Sequence, residues 1–269
     1  MTLVMGILNV TPDSFSDGGL WISPDAAIQH GLSLAKAGAD IVDVGGESTR
    51  PGAARVKPKE EQRRVIPVIT ALAEAGITVS VDTMNASTAA AAAEAGATII
   101  NDVSGGLADP DMAATVASLD TDYICMHWRA HSDRMDAADV YEDVVAEVRD
   151  ELATRVEALT AAGVKPERII LDPGLGFAKV GESNWPLLAN IPAWAGDKRV
   201  LIGASRKRFL GAAIGRPDGD PTEREAATTA VTALVAAQGV WAVRVHDVSA
   251  SCDAIAIASA WKSGTHGPG

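Results

Sequence analysis

Residues 79–102, VSVDTMNASTAAAAAEAGATIIND, contain the structural unit that decides the fold. Two short apolar, β-branched runs, Val79-Ser80-Val81 and Thr98-Ile99-Ile100, flank an alanine-rich segment of helical character. A polar residue follows each run, Asp82 after the first and Asn101 after the second. Apolar runs separated by a helix are typical of parallel strands that are covered by helices. The stretch therefore predicts a strand–helix–strand unit with polar groups where its strands end.

The same unit recurs along the whole chain, and the helical segments between its apolar runs include residues 137–162 and 183–194. The apolar runs begin at Val4, Ile41, Val79, Thr98, Tyr123, Arg168, Val200 and Trp241, and they end at Asn9, Asp43, Asp82, Asn101, His127, Asp172, Ser205 and Arg244. Eight strand–helix units are what a closed (β/α)8 barrel requires, and such barrels carry the active site at the carboxyl ends of their strands. The sequence therefore predicts an α/β protein that forms one TIM barrel, with its chemistry at that end.

Length and composition favour a single domain without a membrane span. The chain has 269 residues, 47% of them apolar, and one such barrel takes about 250 residues. We therefore expect a barrel domain over residues 1–262 and a short flexible tail over 263–269. The first strand begins too early for a signal peptide, and the two cysteines have neither metal nor redox spacing. These features predict a cytoplasmic protein.

The distribution of charge predicts a small anionic ligand. A net charge of −12 argues against binding to nucleic acid, which needs a basic face. Basic residues nevertheless cluster after the last two strands, at Arg206, Lys207, Arg208 and Arg244, where barrels often bind phosphate. Arg244 and His246 alternate along one strand and should face the same side. The alternatives are a solvated helix start for the basic run and a structural role for the histidine.

A second group of polar residues has the opposite character. Asp82, Asn101 and Asp172 end the third, fourth and sixth strands and should converge on the barrel axis. Because unpaired buried carboxylates are costly, these groups either form a structural network with Lys207 or bind a ligand rich in N–H donors. A 2-amino-4-oxo-pyrimidine ring is such a ligand, since a carboxylate accepts from its amino group and ring N–H while Lys207 donates to its carbonyl.

Asn9 and two long loops complete the set of candidates. The Asn9 amide oxygen, together with phosphate oxygens and water, suits Mg²⁺, although an Asx turn explains the residue equally well. The links over residues 11–22 and 47–56 are long and rich in glycine, whereas the links from helix to strand are short. Long loops in a compact domain are more often functional than idle. Their composition is what a mobile lid requires, and the alternative is a tolerated surface loop.

Several segments resemble a known family. Residues 7–19, ILNVTPDSFSDGG, and 43–52, DVGGESTRPG, look like the two signature segments of the dihydropteroate synthases. The likeness continues through residues 172–177, DPGLGF, through 205–211, SRKRFLG, and into Arg244-Val245-His246-Asp247. The resemblance thus covers the whole chain, with every segment in the expected order.

The resemblance implies an activity and an assembly. Members of this family are transferases of folate synthesis that join p-aminobenzoate to 6-hydroxymethyl-7,8-dihydropterin diphosphate and release pyrophosphate. The resemblance also implies Mg²⁺ as cofactor, inhibition by sulfonamides, which mimic p-aminobenzoate, and a homodimer. We expect the dimer to form through the late helices, whose alanine-rich surface lies around residues 226–237.

The family's functional residues can be carried over position by position. The pterin contacts fall on Asp82, Asn101, Asp172 and Lys207, the diphosphate contacts on Thr49, Arg244 and His246, the Mg²⁺ ligand on Asn9, and the aminobenzoate contacts on Phe177 and Pro51. The residues expected to take part in catalysis are Asp82, Lys207, Arg244, His246 and Arg50.

Two other functions are compatible with a pterin-binding barrel. One is a methyltransferase that acts on methyltetrahydrofolate with a corrinoid partner, but such an enzyme has no use for the basic cluster around Lys207 and Arg244. The other is a catalytically silent paralogue that binds pterin without turnover. No expected residue is missing from the chain, so the sequence favours the active synthase.

Overall fold

The computed structural model describes residues 1–11, 23–47, 55–129, 139–179 and 181–264. Eight parallel strands pair in chain order, and the last pairs with the first, so that they close a barrel. The strands are β1 (Leu3–Asn9), β2 (Ile41–Gly45), β3 (Val79–Asp82), β4 (Ile99–Asp102), β5 (Asp122–Met126), β6 (Ile169–Asp172), β7 (Arg199–Ile202) and β8 (Ala242–Val245). The TIM barrel expected from the repeated units is confirmed.

Helices cover the outside of the barrel. Within the described ranges they are α1 (Pro24–Lys36), α2 (Pro58–Glu74), α3 (Ala86–Glu94), α4 (Met112–Ser118), α5 (Val144–Ala161), α6 (Asn184–Ala189), α7 (Ile191–Ala195), α8 (Arg208–Ala213), α9 (Glu225–Gln238) and α10 (Val248–Gly264). None of these helices combines the length and the apolar character that crossing a bilayer requires.

Two helices differ from the periodic pattern in the sequence. The pattern predicts a helix from residue 137, but α5 begins at Val144, because the Asp143 carboxylate accepts from Val145 N at 3.0 Å and Ala146 N at 3.1 Å. The continuous helix predicted over 183–194 is interrupted at Asn190. Proline at position 192 cannot donate to the Leu188 carbonyl, which accepts from Gln238 Nε2 at 2.9 Å instead.

The barrel interior is arranged in layers. A buried apolar cluster of Met5, Ile41, Ile99, Ile124, Ile170, Leu201 and Ala242 fills its lower part. Side chains alternate between the two faces of a strand, so residues two positions further along also point inward. In four of these strands that next inward residue is polar: Asp43 after Ile41, Asn101 after Ile99, Asp172 after Ile170 and Arg244 after Ala242. The apolar layer therefore supports a polar layer at the carboxyl ends of the strands.

Candidate active site

Arg244 lies at the centre of the polar layer. Its Nε donates to Asp43 Oδ2 at 2.6 Å, and its Nη2 donates to Asp82 Oδ2 at 2.8 Å. Asn101 Nδ2 donates to the same Asp43 oxygen at 3.1 Å. The side chains of Asp43 and Asp82 are 0% and 7% exposed, against 20% for Arg244. The basic and acidic groups are therefore interleaved in one hydrogen-bonded cluster instead of occupying separate sides of the barrel.

Asp43 is the member of this cluster that reasoning from the sequence missed. The sequence places it at the end of the second strand and at the start of a family motif but predicts no role for it in the site, yet it is fully buried and bonds to both Arg244 and Asn101. Its Oδ1 atom is buried without a hydrogen-bond partner among the described residues. The sequence feature that could have identified Asp43 is its spacing of two residues from Ile41, because alternation along β2 directs both side chains into the barrel.

A second cluster forms where the loop after β6 meets the loop after β7. Gly174 N donates to Asp172 Oδ1 at 2.7 Å. Lys207 Nζ donates to the Leu175 carbonyl and lies 4.9 Å from the centre of the Phe177 ring. The structure thus brings together three residues that the sequence assigned to the ligand site, namely Asp172, Phe177 and Lys207.

Gly203 is the point at which the two clusters adjoin. A Cβ atom placed on this glycine would lie 3.8 Å from Asp172 Oδ2, 3.9 Å from Lys207 Nζ and 3.9 Å from Arg244 Cβ. A side chain at position 203 would therefore fill the space between the carboxylate, the ammonium and the arginine. The glycine thus keeps this position between the three groups free of a side chain.

His246 lies beside this centre and contacts Ser205. Its Nδ1 is 2.9 Å from Ser205 Oγ, and its backbone N–H donates to the same oxygen at 3.2 Å. The next residue, Arg206, has a φ of 60°, an unusual value for a residue other than glycine. Thr228 Oγ1 and Arg224 Nη1 hold its peptide groups at 3.1 Å and 2.9 Å. These contacts fix the backbone immediately before Lys207.

Burial shifts the pKa values of the carboxylates and of the lysine in opposite directions. Desolvation raises the pKa of Asp82 to about 7, although the Arg244 charge opposes the shift. Desolvation also raises the pKa of Asp172, against the charge of Lys207. The same burial lowers the pKa of Lys207 to about 8, opposed by Asp172. Asp82 and Lys207 therefore titrate near neutral pH, which is typical of groups at functional sites.

Asn9 ends β1 beside the first cluster. A Cβ atom on Gly45 would lie 3.6 Å from Asn9 Oδ1 and 3.7 Å from Asp82 Oδ2, so the amide and the carboxylate flank the same glycine. The described residues contain no group of three or more His, Cys, Asp or Glu side chains suited to a metal ion. A Mg²⁺ ion held by the Asn9 amide oxygen would take phosphate oxygens and water as further ligands.

Three of the candidate residues, Thr49, Arg50 and Pro51, lie outside the described residues, as does most of each long loop. Of the other candidates, Asp82, Asn101 and Arg244 share one hydrogen-bonded cluster, Asp172, Phe177 and Lys207 form the adjoining one, and Asn9 and His246 lie beside them.

The backbone at Gly174 is expected to be intolerant of a side chain. Its φ is +66°, and a Cβ atom would lie 2.3 Å from the His127 carbonyl oxygen. We expect Gly174→Ala to lower the free energy of unfolding by at least about 3 kcal/mol, from backbone strain and steric overlap. Gly76→Ala is the matched control, because Gly76 has a φ of +79° with nothing within 4 Å. The control should cost about 1–2 kcal/mol. If urea denaturation gave equal losses of unfolding free energy for the two variants, the structure would have relaxed to relieve the overlap with the His127 carbonyl.

Comparison with known proteins agrees with this geometry. The family model described as "Pterin binding enzyme" matches residues 5–246. The dihydropteroate synthase of Mycobacterium leprae is 53% identical over 263 residues, covering 96% of this chain and 93% of the relative. The structure of Xanthomonas albilineans dihydropteroate synthase with 4-aminobenzoic acid has a TM-score of 0.90 and 44% identity, covering 99% of this chain and 94% of that chain.

A third similar protein, Yersinia pestis dihydropteroate synthase in a complex with a sulfonamide drug, has a TM-score of 0.91 and 38% identity. The match covers 97% of this chain and 94% of the Yersinia pestis chain. The barrel and its polar mouth thus define a pterin-binding enzyme. Within that class, the chain belongs to the dihydropteroate synthase family, and its activity is that of a transferase.

Proposed function

We propose that the polar layer binds the pterin ring of 6-hydroxymethyl-7,8-dihydropterin diphosphate. The single observation that carries this proposal is the meeting of Asp172, Lys207 and Arg244 around Gly203. The carboxylates of Asp82 and Asp172 accept from the amino and ring N–H groups, the Asn101 amide complements the remaining edge, and Lys207 donates to the ring carbonyl. The buried Asp43 Oδ1, which has no partner among the described residues, leaves one more acceptor in the same layer.

The diphosphate is proposed to bind at the side of Arg244 that the carboxylates leave unused. Asp43 and Asp82 engage Nε and Nη2, and none of the described residues accepts from Nη1. A guanidinium carries two further N–H donors on that nitrogen, which suits a phosphate oxygen. His246 and Thr49 are proposed as the other diphosphate contacts, and Arg50 as a further cation near the departing group. Preorganised donors of this kind stabilise charge on a leaving group.

Asn9 is the proposed protein ligand of Mg²⁺. Its amide oxygen and Asp82 Oδ2 both lie beside Gly45, and a neutral oxygen ligand is consistent with a site completed by diphosphate and water. The chemistry that Mg²⁺ supplies when bound is neutralisation of negative charge on the diphosphate. Asp82 and Asp172, close to the ring, offset positive charge that develops on the pterin as the C–O bond breaks.

The second substrate, p-aminobenzoate, is proposed to lie against Phe177 and Pro51. An aryl amine is neutral at pH 7, so the enzyme needs no strong base to activate it. The loops over 11–21 and 49–55 are proposed to exclude water, which competes with the amine for the same carbon. Their amide hydrogen exchange should slow when pyrophosphate and Mg²⁺ bind, and equal exchange with and without these ligands would contradict this role.

The steady-state rate should have a bell-shaped pH dependence. Asp82 accepts from the pterin only when ionised, so kcat/KM for the pterin substrate should fall below about pH 7. The Lys207 ammonium donates more strongly than the neutral amine, so kcat/KM should also fall above about pH 8. Asp82→Asn should move the midpoint of the acidic limb, because Asp172, whose pKa is also raised, is then the remaining carboxylate that accepts from the ring. The alkaline limb should stay in place. An acidic limb with an unchanged midpoint would mean that a group other than Asp82 controls it.

We propose a homodimer built through α9 and α10. These helices pack against each other and expose large apolar side chains at Leu234, Ile257 and Trp261, which are 65%, 67% and 75% exposed. Analytical ultracentrifugation of Trp261→Glu tests the interface, and a mass unchanged from that of the wild type would contradict it.

We further propose one barrel domain over residues 1–262 with a tail over 263–269. A cytoplasmic location is also proposed, and the two free thiols, Cys125 and Cys252, support it.

An assay of pyrophosphate release tests the proposed activity directly. Release should require both the pterin diphosphate and p-aminobenzoate, and a sulfonamide should raise the KM for p-aminobenzoate. Binding of the pterin diphosphate without release would identify a catalytically silent pterin-binding protein. Transfer of a methyl group from methyltetrahydrofolate to a corrinoid, with no release of pyrophosphate, would identify the methyltransferase.

A further inference from the structure

Lys179 is a buried cation behind the loop that follows β6. The residue is 2% exposed, and its Nζ lies 3.2 Å from Gly174 O, 3.0 Å from Phe177 O and 2.9 Å from His127 Nδ1. These three atoms match the three N–H donors of an ammonium. Burial of a lysine is rare unless its charge is compensated, so this position calls for a specific explanation.

The surrounding hydrogen bonds fix a positive charge on Lys179 and His127 taken together. The hydrogen bond from His127 lowers the pKa of Glu151 to about 2, so this carboxylate only accepts. Because Glu151 Oε2 is 2.9 Å from His127 Nε2, that nitrogen must carry a proton. Gly174 O and Phe177 O are also acceptors, so Lys179 must donate to both. One further proton then lies between Lys179 Nζ and His127 Nδ1.

Neighbouring charges act on Lys179 in both directions. Burial lowers the pKa of Lys179 to about 7, opposed by the charge of Asp172 and reinforced by those of Lys207 and Arg129. Burial likewise lowers the pKa of His127 to about 4. Arg129 pairs with Glu151, and its guanidinium carbon lies 3.9 Å from the centre of the Tyr141 ring.

The two carbonyls that Lys179 holds belong to residues next to the proposed ligand contacts. Gly174 N donates to Asp172 Oδ1 at 2.7 Å, so the position of Gly174, whose carbonyl Lys179 holds, helps to fix where the carboxylate lies. Phe177 carries the ring that lies beside Lys207 Nζ. Phe177 N also donates to Gly174 O at 3.0 Å, which closes a turn over residues 174–177. One buried ammonium therefore holds both ends of this turn.

We propose that Lys179 is a positioning residue: through the carbonyls of Gly174 and Phe177 it sets the location of the Asp172 carboxylate and of the Phe177 ring. This role rests on the proposed assignment of Asp172 to pterin and of Phe177 to aminobenzoate. Lys179 itself touches neither substrate. Its contribution is to keep the turn in the binding geometry before the substrates arrive, so that they do not have to order it.

Lys179→Met tests this role because it keeps the length of the side chain and removes its charge and donors. We expect the dissociation constant for the pterin and the KM for p-aminobenzoate each to rise at least tenfold. The dissociation constant for pyrophosphate with Mg²⁺ should change less than twofold, since Arg244 and His246 lie on β8 and the residues that follow it. Isothermal titration calorimetry and steady-state kinetics supply these values. A general loss of structure would weaken all three alike, and that result would overturn the proposal.

Arg168→Met is the matched control. Arg168 precedes β6 at the opposite end of the barrel, and its Nη1 donates to the Leu119 carbonyl at 2.6 Å. This variant also removes a cation from a backbone carbonyl, but it should leave all three constants within twofold of the wild type. Unchanged pterin and aminobenzoate constants in Lys179→Met would overturn the proposal.

A second variant decides the matter if Lys179→Met does not fold. Lys179→Gln keeps a neutral donor at this position and should raise the pterin and aminobenzoate constants at least fivefold, again with little change for pyrophosphate. Uniform losses or none in this variant would also reject the role. A wild-type protein that neither binds pterin nor releases pyrophosphate would instead refute the proposed function, so the two failures are distinguishable.

Discussion

Arg244→Met should lower kcat/KM by about 10²–10³-fold, the usual loss when a preorganised electrostatic donor is removed. It should also lower the free energy of unfolding by about 3–5 kcal/mol, because a buried pair that loses one partner leaves an uncompensated charge. Here two carboxylates are affected, since Arg244 bridges Asp43 and Asp82 at 2.6 Å and 2.8 Å. Adding Asp43→Asn to this variant should restore part of the lost stability.

Arg199→Met is the matched control for this effect. Arg199 also pairs with a carboxylate through two hydrogen bonds, to Asp122 at 2.7 Å and 2.8 Å, but it lies at the opposite end of the barrel with its side chain 34% exposed. A pair open to solvent contributes less than about 1 kcal/mol. Urea denaturation and initial-rate kinetics measure both variants. If the two variants lost similar amounts of unfolding free energy, burial of the Arg244 cluster would not increase its contribution to stability.

Lys207→Met should weaken pterin binding by about 10- to 150-fold, which corresponds to the 1.5–3 kcal/mol of a hydrogen bond to a charged group. Lys207 lies next to Asp172, whose charge favours the protonated amine and whose own ionised form it stabilises. Arg50→Ala should mainly lower turnover, because that residue is assigned to the reacting end of the substrate and not to the ring. Calorimetry with the pterin and measurement of kcat separate the two effects.

The control for the lysine variant is Lys198→Met. Lys198 is near the opposite end of the barrel, where its Nζ reaches the Pro166 carbonyl at 3.5 Å. We expect its pterin affinity to stay within twofold of the wild type. Equal losses of pterin affinity in Lys207→Met and Arg50→Ala would reject the division between ring recognition and chemistry.

Local patterns were sufficient to predict the barrel. Short apolar runs alternate with helical segments over the whole chain, and alternation within each strand separates inward from outward side chains. The two helices that were predicted wrongly depend on single residues, Asp143 as a cap and Pro192 as a break. A periodicity averaged over a whole helix does not locate such points.

The candidate site was predicted less completely than the fold. Its strand-end residues could be found because they interrupt apolar runs and match the motifs of a known family. The pairing of Arg244 with Asp43 could not be found, because these residues are far apart in the chain and meet only across the closed barrel. The same reason explains Lys179, which looks like an ordinary surface residue until the fold buries it against His127.

The chain's own periodicity and motifs thus specified a barrel, a polar end and a family, because each of these depends on residues that are close in sequence. Only the closed tertiary structure decided which charges neutralise each other, since that depends on which strand ends face one another across the axis. It also decided their proton affinities, because desolvation exists only once the surrounding layers are packed.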